Sequence, residues 1–296
     1  MAHLNDYARR VVAGAKKWGR AVALACMFAG GMTVATTASA GRTINSLPFY
    51  ENFNSNNYSD LVWITQGATH TWVSGQGFNG SGAAKFTAPM AEGYSGLGQL
   101  ILGSSGLAPD QLNVRFLIYH GYLWQELGPG GKLVIMNRSG NSGRPMLIAE
   151  DWSAGGWESW AACDGTVCRY QGGDYWPNGT ETFRLGASGR GRSHEWICVE
   201  LEANSRTGRI KLYVDTQDGQ FSGLLVDRPM DQSGTGGTWS MIDIIGGYMN
   251  RGSVRNDPEN YFIIDELALN TTRIGPPANF RSNTVRPNAP TSLSVQ

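Results

Sequence analysis

Residues 194–215 read HEWICVELEANSRTGRIKLYVD. Ile197, Val199, Leu201 and Ala203 alternate with Trp196, Cys198, Glu200 and Glu202. A period of two marks a strand with one buried face. Asn204-Ser205-Arg206-Thr207-Gly208 supplies turn chemistry. The return strand puts Ile210, Leu212 and Val214 on one side and Lys211, Tyr213 and Asp215 on the other. One side of this hairpin belongs to a core. The other displays rings, carboxylates and a lysine, which suits a sugar-binding surface and equally suits an ordinary solvated sheet face.

The same alternation recurs upstream. In Asn113–Trp124, Val114, Phe116 and Ile118 point to the core, while Arg115, Leu117 and Tyr119 point away. His120 continues the apolar face unless Gly121 bulges the strand. Further strands are expected at 132–138, 146–150, 224–228, 241–248 and 261–270, the last with Ile263, Ile264, Leu267 and Leu269 as core residues. Forty glycines, 16% charged residues and no sustained helical period predict an all-β protein. The expected architecture is an antiparallel two-sheet sandwich with almost no helix.

Two stretches read as loops. Residues 93–106 surround the apolar run Leu100-Ile101-Leu102. Residues 151–178 hold Trp152, Trp157, Trp160, Tyr170, Tyr175 and Trp176 among glycines. A loop this long is functional or pinned. It is either a wall over a ligand cleft or a satellite core.

Residues 1–40 read as an export signal, with a basic start, an apolar run at 21–35 and the cleavage-type string Ala38-Ser39-Ala40. The run is short for a transmembrane helix. A secreted or periplasmic mature chain with no stable membrane insertion is expected. The domain is placed at 41–275, and the proline- and asparagine-rich 276–296 as a solvated tail or linker stub. The formal net charge of zero argues against nucleic acid as a partner. After cleavage Cys163, Cys168 and Cys198 remain. Export favours a Cys163–Cys168 disulfide, with Cys198 a partly buried free thiol.

The order of these strands resembles the concanavalin A-like jelly rolls of lectins, glycanases and polysaccharide lyases, and most resembles the secreted bacterial lyase-like branch. The matching strings are FYENFNS, NVRFLIYHGYLW, GGKLVI, the central hairpin and YFIIDELALNTTRIG. The resemblance implies a concave sheet crossed by an arginine-bearing strand and a Trp-x-Cys-x-Glu strand. Glu-x-Asp-x-x-Glu, Arg-x-Glu-Leu-Arg and Gln-x-His strings are missing, as are calcium-loop and zinc-type spacings, so no cofactor or metal is expected.

The expected partner is a polysaccharide, acidic polymers included. Trp196, Glu200, Glu202, Lys211, Tyr213, Trp157 and Trp176 are the candidate sugar contacts. A β-eliminating lyase needs a cation for the C5 carboxylate and groups to move protons. Arg115 and Lys132 could neutralise, and His120, Tyr119 or Tyr248 could transfer protons. A glycosidase would use the carboxylate pair Glu200 and Glu202. A structural or adhesive surface protein is the remaining reading. If strands 113–120, 132–138, 196–203 and 210–215 share one sheet, these polar residues line one concave surface.

Overall fold

The structure, a computed structural model, describes residues 41–64, 69–87, 94–120, 131–138, 146–152, 157–163, 183–185, 194–219, 222–229, 237–244, 247–248, 261–283 and 287. In chain order the strands are β1 (Arg42–Thr43), β2 (Phe49–Glu51), β3 (Val62–Ile64), β4 (Thr69–Val73), β5 (Ala83–Thr87), β6 (Tyr94–Leu97), β7 (Gln99–Ile101), β8 (Gln111–His120) and β9 (Gly131–Arg138). They continue as β10 (Met146–Trp152), β11 (Trp157–Cys163), β12 (Phe183–Leu185), β13 (Trp196–Asn204), β14 (Arg209–Thr216), β15 (Ser222–Pro229), β16 (Trp239–Ile244), β17 (Gly247–Tyr248) and β18 (Tyr261–Asn270). Among the described residues the only helical pieces are 3₁₀ turns at Ser59–Leu61, Phe78–Gly80 and Gly103–Ser105.

The fold is an all-β jelly-roll sandwich. Its large sheet runs β15-β14-β13-β8-β18-β5-β4, with β2 added to β18. The second sheet runs β1-β7-β16-β9-β10-β11-β12, and a small third sheet is β17-β6-β3. Among the described residues all pairings are antiparallel except β1 with β7.

The alternation in the hairpin sets the main core. Ile197, Val199, Leu201, Ile210, Leu212 and Val214 are fully buried with Val114, Phe116 and Ile118 of β8 and Ile264, Leu267 and Leu269 of β18. Leu100, Val134, Met136 and Ile242 of the second sheet belong to the same cluster. Full burial of one such aliphatic side chain contributes roughly 1.5–3 kcal/mol. Trp239 of β16 ties the sheets together, its indole N–H reaching the Ala203 carbonyl at 3.1 Å.

Several expectations need correction. Residues 94–97 and 99–101 of the expected loop at 93–106 are strands β6 and β7. The aromatic stretch begins as a hairpin, β10 with β11, in continuous register from Met146↔Cys163 to Trp152↔Trp157. Ile263 is buried as expected, but on the opposite face from Ile264. The domain also does not end at Gly275: Phe280 is 1% exposed and packs in a second core, and Pro287 is buried.

Candidate functional site

The outer face of the large sheet carries most of the sequence-predicted residues in cross-strand rows. Tyr213, Glu200 and Arg115 are successive register partners. Lys211, Glu202 and Asn113 form the next row toward one end, and Asp215, Cys198 and Leu117 the next toward the other. Trp196 lies opposite Tyr119. The expected side of each residue is thus borne out.

The face is nevertheless closed to solvent. Trp196 is 0% exposed, Glu200 1% and Arg115 5%; Tyr119, Cys198, Glu202 and Tyr213 are buried too. Two things close the face. Phe78 and Phe280 cover Trp196, Tyr119, Cys198, Leu117, Tyr261 and Ile263, forming a second apolar core. Phe78 meets Trp196 edge-on with centroids 6.2 Å apart and Phe280 at 5.8 Å.

The segment after β18 then runs back over the polar rows as a strap. Ile274 and Gly275 donate their backbone N–H groups to Glu200 Oε1 and Oε2, each at 2.8 Å. The Arg273 guanidinium lies 4.4 Å above the Tyr213 ring. Arg281 pairs with Asp215 at 3.3 Å. Glu202 is held by Lys211 at 3.0 Å and by the Tyr213 hydroxyl at 3.3 Å.

The electrostatics follow from this enclosure. Burial raises the Glu200 carboxyl above its ordinary value, opposed by the Ile274 and Gly275 N–H groups and then by Arg273 and Arg115. Burial also pushes the Cys198 thiol up, so a free cysteine here is not a nucleophile. Tyr213 is raised by burial and by Glu202, and Lys211 by its hydrogen bond to Glu202. Asp265 on β18, raised to about 7 by burial, accepts from the Phe78 N–H and Ser81 hydroxyl, both at 2.8 Å, and from the Glu266 N–H at 2.7 Å.

Lys132 corrects the expectation of one shared surface, because β9 belongs to the second sheet. There the core rows are Leu100–Ile242–Met136 and Val134–Leu147. A register shift between Leu147 and Ile148 brings Lys132 opposite Ile148, in a row alternating with that of Val134. The alternating rows read Gln99–Asp243–Ile135–Met146–Cys163, Lys132–Ile148–Ala161 and Glu150–Ser159–Arg184. Tyr248 pairs with Tyr94 in the small sheet, and its strand β17 contacts β9. His120 ends β8 opposite Phe262, in the large sheet. Trp157 opens β11 opposite Trp152. Trp176 and Cys168 lie outside the described residues, and with Cys168 the expected disulfide. The strap was missed in the sequence; its one signal is Phe280, the sole aromatic after Phe262.

No family model matches this chain, and no curated protein matches it. Among solved structures it is similar to the endo-β-1,4-glucuronan lyase from the fungus Trichoderma reesei, at 15% identity over 76% of this chain and 95% of that one, with a TM-score of 0.48. It is also similar to alginate lyase Aly36B, at 13% identity over 77% and 98% with a TM-score of 0.39. A third similar structure is a conserved carbohydrate esterase from Shiga toxin-encoding bacteriophage phi24B, at 13% identity over 74% and 95% with a TM-score of 0.41. At this distance they assign neither an activity nor a site.

Proposed function

We propose that the chain is a secreted protein that engages an extracellular polysaccharide through the second sheet of its jelly roll, with β-elimination of a uronic-acid polymer as its catalytic option. The observation that carries this reading is the register of that sheet. Its core rows alternate with rows that place Lys132, Glu150, Ser159 and Arg184 on adjacent strands. Neighbouring strands are about 4.8 Å apart. Mixed cations, carboxylates and hydroxyls suit a ligand that carries both carboxylates and hydroxyls.

In the eliminating reaction a base removes the C5 proton, the C4–C5 double bond forms, the C4–O bond breaks and the leaving oxygen takes a proton. Lys132 or Arg184 would neutralise the carboxylate that makes C5 acidic. Tyr248, on a strand touching β9, would move protons. The glycosidase alternative loses its support, since Glu200 and Glu202 are buried and held by the strap, Lys211 and Tyr213.

The test is ultraviolet detection of unsaturated product during incubation with glucuronan, alginate and pectate. One polymer should yield product, lost in Lys132→Ala and Tyr248→Phe with thermal midpoint and retardation by that polymer retained. Retardation without product leaves recognition alone; neither, with all polymers, removes the proposal.

A further inference from the structure

We propose that Tyr50, Glu266 and Arg115 form a separate saccharide subsite, for a neutral hexose unit, at the margin of the large sheet's outer face. β2 adds to β18 so that Tyr50, Ala268 and Arg115 are successive register partners. The small Ala268 leaves the guanidinium and the ring facing each other, 5.9 Å from carbon to centroid. Tyr50 is 50% exposed, one of two large hydrophobic side chains so exposed among the described residues.

The register of β18 against β8 shifts between Asp265 and Ala268, and within that bulge Glu266 sits at φ 54°. A left-handed conformation is unfavourable for glutamate. It brings the Glu266 carboxylate onto the Tyr50 hydroxyl and within 3.6 Å of Arg115 Nη1.

Beneath them the hydrogen bonding is incomplete. Arg115, 5% exposed, has Nε and Nη1 without a hydrogen-bond acceptor. Asn113, on the same face and 0% exposed, has neither amide atom partnered. Leaving such buried groups unsatisfied is unfavourable. An aromatic face in solvent beside a carboxylate acceptor suits a hexose ring, and the buried Arg115 holds that carboxylate in place. The hexose C–H face would lie on the solvent side of the Tyr50 ring and a hydroxyl would donate to Glu266, with Arg115 behind them as a positioning residue.

Charge selects a neutral sugar. Arg115 and Arg273 both act on Glu200, and Glu266 stands on the other side of Arg115. The cluster is balanced within the chain, and a ligand carboxylate would approach Glu200 and Glu266. The subsite is independent of the second-sheet reading, because its residues lie on the large sheet.

Affinity electrophoresis of the full chain in gels holding a β-glucan, a galactomannan or alginate tests this. At least one neutral polymer should retard the protein. Tyr50→Ala and Glu266→Gly, the second relieving the strained backbone, should each weaken retardation fivefold or more. Tyr50→Ala should keep the thermal midpoint, and both should keep any product formation from uronates. The proposal is overturned if neither neutral polymer retards the protein, if both variants are retarded as strongly as the parent, or if only alginate binding depends on Tyr50.

Discussion

Glu200 holds Gly275: its Oε2 accepts the Gly275 N–H at 2.8 Å while Oε1 takes that of Ile274. A carboxylate on the sheet therefore serves as the anchor of a chain segment. Replacing it with an amide turns one acceptor into a donor facing an N–H. Hydrogen bonds to charged groups contribute about 1.5–3 kcal/mol each. Glu200→Gln should lower the thermal midpoint by about 5 °C or more, given roughly 2–4 °C per kcal/mol in domains of this size. An unchanged midpoint would mean that the strap adds nothing to stability.

Gly275 separates backbone from packing. Its φ is +73°, and a Cβ there would meet nothing within 4 Å. Gly275→Ala should cost about 1–2 kcal/mol, from left-handed strain alone. Denaturant unfolding should show a lower midpoint with an unchanged slope.

Asp265 gives a pH dependence. Burial lifts its carboxyl from the ordinary aspartate range to about 7. The folded protein then holds a proton that the unfolded chain releases, so this group's contribution to stability declines as pH rises from about 4 to 7. Asp265→Asn removes that titration but also loses an acceptor facing the Phe78 N–H. The variant should be the less stable protein at pH 4, and the difference should narrow toward pH 7. A gap that widens with pH would contradict the assignment.

Hydrophobic alternation was enough to place β8, β13, β14 and β18 and the side of the residues on β13 and β14, because the period of two reports the pleat directly, whereas on β18 it put Ile263 on the face of Ile264. It could not say whether the far side meets water. That depended on Phe280 and the Ile274–Gly275 amides arriving from a stretch with no periodicity. The position of Lys132 was hidden for another reason. Which sheet β9 joins is set by pairings with β10 and β16, distant in sequence, and its row by a bulge. The aromatic stretch at 151–178 looked loop-like because its tryptophans and glycines show no period of two, although β10 and β11 pair in continuous register.

Trp196 is where a ligand-contacting role and a core role make opposite predictions. A stacking tryptophan is half in solvent, and its removal costs binding but little stability. Here the ring is 0% exposed, lies 5.5 Å from Tyr119 and 6.2 Å from Phe78 by centroids, and joins β13 to the covering segments. Trp196→Ala should cost about 3–5 kcal/mol, the range for deleting a buried aromatic ring. It should also make the Cys198 thiol, inert to alkylation in the native parent, reactive in the folded variant, because the two share one core. Trp196→Phe should cost much less. It keeps a ring against Phe78 and removes an indole N–H that is buried without a partner. Thermal unfolding of the three proteins with mass-spectrometric mapping of Cys198 checks this. A Trp196→Ala protein with the parent's midpoint, an unreactive Cys198 and lost polysaccharide binding would return the ring to the ligand and show that the strap opens in solution.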